Sequence, residues 1–391
     1  MTKKVIFLIG TLSGGGAERV VSNITMALPE DIQSEIILFG KESKIEYPYK
    51  GNIKYLDRLS LKSNLSKIKA LISRIKIMKN IKKLNPNVPI ISFLEYPNLL
   101  NILSGNKKRS IVSVRNFMST KHKKGLKAFF WNLTIKYLYK KTVRVIVVSK
   151  GIKEDLVLNY KIPKEKIRVI YNSYPISEIE KKAGDKLTED EQKIFKKPTV
   201  ITAGRLNEQK GHIHLLNAFS KVKKSVPNSQ LVFLGEGKLE ASLKESAKEL
   251  GIHNNVHFLG FKRNPFKYIA QSKVFVMTSY YEGFPNALAE AMACKIPVIS
   301  TDCQSGPREI LAPDITKGTI ESKNNRFGIL LPNITVYNKD KVENMIFNSI
   351  KSLIVNEKYN NDVAKKSYDR VNDFDIGRII NVWLKLINTN K

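Results

Sequence analysis

The stretch Tyr280–Thr301, YYEGFPNALAEAMACKIPVIST, sets two glutamates, Glu282 and Glu290, eight residues apart around a Gly-Phe-Pro turn. Pro285 suits the first turn of a helix, where its missing N–H has no partner to lose. The pattern predicts a loop carrying Glu282, then a helix with Glu290 in its second turn. The β-branched run PVIS follows as a strand. Loop, helix and strand in that order make one crossover of an α/β sheet.

The same alternation extends outward to both ends. In the first half VIFLI, EIILF, PIISFL, SIVSV, VRVIVVS and IRVIY read as strands; in the second, TVITAG, QLVFLG, VHFLG, VFVM, PVIS and FGILL. Helical patterns lie between most of them, which predicts parallel sheets with crossover helices. The polar segment 176–197, PISEIEKKAGDKLTEDEQKIFKK with its leading proline, has no strand character and reads as a linker. The expected organisation is an N-terminal domain 1–175, a C-terminal domain 198–374 and a last helix, 375–391, that crosses back to the first domain. At 391 residues the chain exceeds one ordinary core. Two doubly wound Rossmann-like domains facing a cleft are expected, with ligands at the carboxyl ends of the strands.

Composition narrows the class. Two cysteines, Cys294 and Cys303, are too few for a disulfide framework and fit a reducing compartment. The opening apolar run breaks into glycines after six residues and reads as a strand. No apolar stretch is long enough to span a bilayer. The chain is expected to be cytoplasmic or peripheral. The net charge of +32 is uneven: residues 1–175 hold 34 Lys+Arg against 11 Asp+Glu, and the remainder 33 against 24. Between Arg58 and Lys153 stand 23 basic residues and one acid, Glu95. Such a surface calls for an anionic partner.

Three places can bind anions or hydroxyls. LIGTLSGGGAERVVSNITMAL runs strand, glycine turn, helix, and Gly14, Gly15 and Gly16 leave backbone N–H groups uncovered where the helix begins. A helix start suits an oxyanion, although glycines also serve a plain tight turn. In TAGRLNEQKGHIHLL, Arg205 and Lys210 flank a loop after the leading strand of the second half, as a diphosphate clamp would. Around the opening stretch, Gly283, Phe284, Pro285, Asn286 and Ala287 line a helix start able to hold a phosphate oxygen. Glu282 and Glu290 can then accept hydrogen bonds from hydroxyls on either side. Hydroxyls at both ends with phosphate between describe a nucleotide-sugar.

Taken together, EGFPNALAE, GRLNEQKG, LVFLGEGKLEASL, NVHFLGF, LSGGGAERV and VIVVSKGIKEDL…IRVIYNS resemble a family 4 glycosyltransferase of GT-B fold, of the kind that builds bacterial surface polysaccharides. The resemblance runs from Val5 to about Leu331. It implies a retaining hexosyltransferase with a nucleotide-sugar donor and neither cofactor nor bound metal. By position, Glu290 would hold the ribose hydroxyls, Glu282 the donor sugar, and Arg205 and Lys210 the diphosphate. Gly260, Phe261 and Lys262 would lie by the base, and Gly14–Gly16 by phosphate or acceptor. Many members carry a histidine after the strand that here ends SIVSV; this chain has Arg115 and Asn116 instead. Glu95, at the end of IISFL, either contacts the acceptor or transferred sugar or pairs with a neighbouring lysine.

Two basic segments complete the expectation. Residues 61–84 place Leu61, Leu65, Ile68, Ile72, Ile75 and Met78 at helical spacing among eight basic residues. Residues 121–141 interleave lysines with Phe129, Phe130, Trp131, Tyr137 and Tyr139. Either an anionic membrane surface or an ordinary core face with solvated lysines fits the first. A membrane-facing transferase implies a lipid-linked acceptor such as a polyprenyl diphosphate saccharide, at the cytoplasmic face of the inner membrane. The opening and SGPREIL resemble members using UDP-hexoses or UDP-N-acetylhexosamines. The alternatives are a GDP-mannose-dependent or soluble-acceptor transferase, and a basic nucleic-acid-binding protein. No nucleic acid is expected, since zinc-finger spacing and an RRM signature are both missing.

Overall fold

The computed structural model describes residues 3–41, 43–57, 64–121, 125–314, 326–336 and 338–389. The chain divides into two compact units, Met1–Ser173 with Ile376–Lys391, and Tyr174–Asp375.

The first unit is built on β1 (Lys3–Leu8), β2 (Ile32–Gly40), β3 (Asn52–Asp57), β4 (Ile90–Phe93), β5 (Ser110–Val114), β6 (Arg144–Val147) and β7 (Ile167–Val169). They form one parallel sheet in the order β3-β2-β1-β4-β5-β6-β7. The second unit holds β8 (Thr199–Ala203), β9 (Gln230–Leu234), β10 (Val256–Phe258), β11 (Val274–Met277), β12 (Val298–Thr301) and β13 (Ile329–Leu331), parallel in the order β10-β9-β8-β11-β12-β13. Val, Ile, Leu and Phe dominate the inner strands because helices cover both faces. In each sheet the chain order reverses once, between β1 and β4 and between β8 and β11. Crevices form at such switch points, at the carboxyl ends of the strands.

All twelve strand readings fall on strands. The thirteenth, β3, escaped because NIKYLD is half polar, as an edge strand can be. The segment read as a linker is instead structured. It forms the helices Ile176–Ala183 and Glu189–Phe195 of the second unit. Ile176, Ile179 and Leu187 are buried, and a Thr188–Glu191 capping box starts the second helix. Its polarity is the solvent face of a thin cover.

The helix Asn64–Leu84 is rotated from the expected apolar stripe. Ala70, Arg74, Met78 and Lys82 face inward, whereas Ile68 and Ile72 are 56% and 50% exposed. Arg74 fits because its guanidinium lies over the Phe39 and Tyr96 rings, 4.7 and 5.8 Å from their centroids. Lys82 fits because its ammonium donates to the Gly105 carbonyl (2.6 Å), Ser110 Oγ (2.8 Å) and the Asn101 carbonyl. Burial lowers its pKa to about 7. Leu61 and residues 122–124 of the second basic segment lie outside the described residues. Among the described residues no helix is long and apolar enough to cross a membrane.

After the second unit the chain adds its last helix, Ile376–Thr389, to the first. Ile379, Ile380, Trp383, Leu386 and Ile387 join the core of β1, β2 and β4, with the Trp383 ring 6.2 Å from that of Phe93. Trp383→Ala should cost the first unit about 3–5 kcal/mol. Trp383→Phe should cost far less, because the buried indole N–H has no hydrogen-bond partner among the described residues. Denaturant unfolding followed by circular dichroism checks both; equal losses would contradict this packing.

Candidate active site

The loops after β8 and β11 meet at the second unit's switch point. After β8, Gly204 leads to Arg205, and a short turn Glu208–Lys210 ends at Gly211, whose φ is +57°. A Cβ on Gly211 would overlap the Thr278 carbonyl oxygen, so only glycine lets the two loops approach. Thr278 Oγ1 in turn donates to the carbonyls of Lys210 and Gly211, both at 3.0 Å. Gln209 ties the loops twice more: its carbonyl accepts from Tyr280 N (2.8 Å), and its Nε2 donates to the Tyr281 carbonyl (2.9 Å).

This joinery sets Lys210 against Glu282. Lys210 Nζ lies 2.7 Å from Glu282 Oε1, which also accepts from Ser279 Oγ at 2.8 Å. Both side chains are largely buried. Among the described residues no hydrogen bond is directed at Oε2, so one carboxylate oxygen is fixed and the other is available. The helix Asn286–Ala293 begins just beyond. Pro285 is its N-cap rather than its first residue, and no side chain caps it. Glu290 sits one turn in and is 7% exposed. Phe284 packs edge-on to Phe374, and Ser305 Oγ donates to the Gly283 carbonyl (2.9 Å). A Cβ on Gly306 would press on Pro285, so the SGP turn after β12 buttresses the helix start.

The ends of β8, β9 and β10 also converge. Gly235 N donates to the Gly260 carbonyl at 2.8 Å, and a Cβ on Gly235 would overlap the Gly204 carbonyl. Each of these strands ends in glycine, as TAG, FLG and FLG, a signal readable in advance. Phe261 N donates to Glu236 Oε1 at 3.3 Å, and the Phe261 ring is exposed. Lys262 turns to Glu191 (3.3 Å) and the Tyr268 ring.

At the first unit's switch point stand the Gly14–Gly16 loop and Glu95. Gly14 has φ +64°, and Gly15 caps the helix Gly16–Ala27 without a side-chain bond. The Glu18 carboxylate folds over Gly15, where a Cβ would overlap it, so this helix start already carries a negative group. Glu95 opens the helix Glu95–Leu103 and pairs with Lys121 Nζ at 2.5 Å. Arg115 is buried, donates to Asn172 Oδ1 (2.5 Å) and lies near the Phe93 ring; Asn116 is half-buried.

Two doubly wound parallel units, with a cation–carboxylate pair and a helix start at one switch point, define a GT-B glycosyltransferase. Residues 14–178 match the profile of Glycosyltransferase Family 4, and residues 185–326 that of Glycosyl transferases group 1. The chain is 32% identical to an uncharacterized glycosyltransferase of Methanocaldococcus jannaschii, covering 91% of this chain and 88% of that one. It is 30% identical to N-acetylgalactosamine-N,N'-diacetylbacillosaminyl-diphospho-undecaprenol 4-alpha-N-acetylgalactosaminyltransferase of Campylobacter jejuni, covering 98% and 99%. HepE of Anabaena, crystallised with UDP and glucose, superposes with a TM-score of 0.76 at 17% identity, covering 99% and 100%. The chain belongs to glycosyltransferase family 4.

His212, directly after Gly211, is buried edge-on to Phe233. Burial first, and the charge of Lys210 second, lower its pKa from 6.5 to about 4. The unfolded chain takes up this proton near pH 6.5 and the folded one only near 4. Its contribution to stability is therefore complete above pH 6.5 and lost as pH falls toward 4. The unfolding midpoint of the second unit should drop across that window, and less steeply in His212→Gln. Identical slopes would show that His212 does not titrate so.

Proposed function

We propose that the protein is a retaining transferase that moves a hexose or N-acetylhexosamine from a UDP-sugar to a lipid-linked saccharide during assembly of a bacterial surface polysaccharide. The observation that carries the donor half is the Lys210–Glu282 pair, with Arg205 on the same loop and Glu290 on the helix that follows. Departure of the nucleoside diphosphate leaves negative charge on it and positive charge on the sugar ring. Lys210, held by Glu282, the exposed Arg205 and the start of the helix Asn286–Ala293 are positive groups for the first of these. Lys210 can bridge the diphosphate and Glu282, while Glu282 Oε2 accepts from a sugar hydroxyl and Glu290 holds the ribose. Both carboxylates then bind donor hydroxyls, so attack comes from the face the diphosphate leaves, without a glycosidase-type pair. No metal is required in this scheme. Gly260 and Phe261 meet the base through their backbone, Lys262 being engaged elsewhere.

In the first unit the Gly14–Gly16 loop and Glu95 serve the acceptor. The Glu18 carboxylate over Gly15 favours a hydroxyl-bearing sugar there rather than a phosphate. Arg115, which stands where the resemblance leads one to expect a histidine, supplies a fixed cation or donor. The Campylobacter relative is named for a diphospho-undecaprenol acceptor, which supports a polyprenyl diphosphate saccharide here.

A membrane reading rests on its own observation. On and after the helix Leu126–Leu133, Leu126, Phe129 and Phe130 are 90%, 63% and 51% exposed, with Leu133 and Tyr137 also in solvent. These positions fall on one helical face, flanked by Lys121, Lys127, Lys136 and Lys140. An apolar face among cations matches an anionic bilayer surface, where each cation adds about 1 kcal/mol. An apolar, cation-flanked face of this kind supports a peripheral site of action at the cytoplasmic face of the inner membrane.

Stabilisation and hydrolysis should be screened with UDP-glucose, UDP-galactose, UDP-N-acetylglucosamine, UDP-N-acetylgalactosamine and GDP-mannose. Glu290→Ala should weaken UDP binding in calorimetry, and Arg205→Ala or Lys210→Ala should cut turnover about 10²–10³-fold. EDTA should change nothing. A preference for GDP-mannose, or activity restored by Mg²⁺ after chelation, would overturn the corresponding part.

For the membrane, Phe129→Ser/Phe130→Ser should reduce co-sedimentation with vesicles containing phosphatidylglycerol while leaving hydrolysis of free donor intact. High salt should weaken binding of the native chain only in part, because apolar insertion is not screened. Equal binding to neutral vesicles, or none to either, would favour a soluble acceptor.

A further inference from the structure

A buried polar chain lies beneath the loop that carries Glu282, and neither the donor assignment nor the spacing of Glu282 and Glu290 accounts for it. Glu343, on the helix Lys339–Val355, sits 2.7 Å from His214 Nδ1, and His214 Nε2 sits 2.8 Å from the Tyr280 hydroxyl. Asn217 Nδ2 donates to the same Glu343 oxygen at 3.0 Å. Glu343 and His214 are buried, and the His214 and Tyr280 rings meet edge-on, 5.7 Å apart.

The protonation pattern follows from the partners. Burial opposes the charge on Glu343, but hydrogen bonds from His214 and Asn217 outweigh it and hold its carboxyl below the usual range. A carboxylate accepts only, so Nδ1 of His214 carries a proton. In that tautomer of the neutral ring, Nε2 accepts from Tyr280 O–H. Burial raises the Tyr280 pKa, which keeps that hydroxyl protonated. With that tautomer the chain runs from the tyrosine into the histidine and from the histidine into the carboxylate.

Tyr280 is two residues before Glu282. Its backbone is held by Gln209, and the Ser279 carbonyl accepts from Thr301 Oγ1 at 3.1 Å. The side chain adds a further anchor, to His214 on the helix His212–Ser225 and through it to Glu343. We propose that Tyr280 and His214, with Glu343 fixing the histidine tautomer, are positioning residues that hold the Ser279–Glu282 segment so that Glu282 Oε2 meets the transferred sugar. The proposal rests on the assignment of Glu282 to that sugar. A network that only joins the helices His212–Ser225 and Lys339–Val355 would act on stability and leave the chemistry alone.

The test uses the full chain and UDP-N-acetylgalactosamine, or whichever UDP-sugar of the panel is hydrolysed fastest. Tyr280→Phe deletes one hydroxyl and keeps the ring. It should lower kcat about five- to tenfold, the worth of one hydrogen bond, with UDP affinity unchanged. Glu343→Gln still accepts from Nδ1–H and should keep near-native kcat, whereas Glu343→Leu should behave like Tyr280→Phe. In a Glu282→Gln background Tyr280→Phe should have less than about a twofold effect, because residues acting as a unit are not additive. Normal kcat in Tyr280→Phe, or losses that multiply in the double variant, would overturn the proposal and leave the Glu282 assignment standing. Normal kcat in Glu282→Gln would remove that assignment and the proposal with it.

Discussion

The ion pair between Lys210 and Glu282 is the constraint around which the second unit is arranged. Its members come from loops after β8 and β11, strands that neighbour each other only because the sheet order reverses there. Holding two charges together at low exposure requires that both be fixed in advance; otherwise desolvation exceeds their attraction. The glycine at 211, the Thr278 hydroxyl and the two bonds of Gln209 supply that fixation. The result is a carboxylate with one oxygen committed to the protein and one left for a ligand. Beside it stands an ammonium that can face two anions at once.

The first unit repeats the topology with opposite emphasis. Its switch point is furnished with carboxylates, Glu18 over Gly15 and Glu95 against Lys121, in the half of the chain where acids are scarce. Cations dominate elsewhere on that unit, beside the exposed aromatic face of Leu126–Leu133. Under the proposed function these features divide the labour, with hydroxyl recognition at the strand ends and an anionic surface addressed by the exterior. Arg74 and Lys82 show that not every cation counts toward the surface, since both are internal.

Strands were legible because parallel strands buried on both faces are short apolar runs, as β9, β11, β12 and β13 are. The exception, β3, lies at an edge, where polar residues suffice. Helix phase was harder: in Asn64–Leu84 an arginine and a lysine occupy inward positions that hydrophobicity assigns to Ile68 and Ile72. The candidate site could be read from the sequence as local signatures and not as a set of contacts. Glu282, Glu290, Arg205 and Lys210 carry local signatures in loops and helix starts. The pairing of Lys210 with Glu282 spans 72 residues, and that of His214 with Glu343 spans 129. Neither leaves a local pattern, because each depends on which strands become neighbours.

A crystal structure of the protein with an intact, non-hydrolysable UDP-sugar analogue tests the central claim most directly. The account predicts Lys210 Nζ within hydrogen-bond distance, about 2.7–3.2 Å, of both a diphosphate oxygen and Glu282, with Glu282 Oε2 on a sugar hydroxyl. A donor bound in the second unit with its sugar away from Glu282, or a Lys210–Glu282 pair that separates to admit it, would contradict the account.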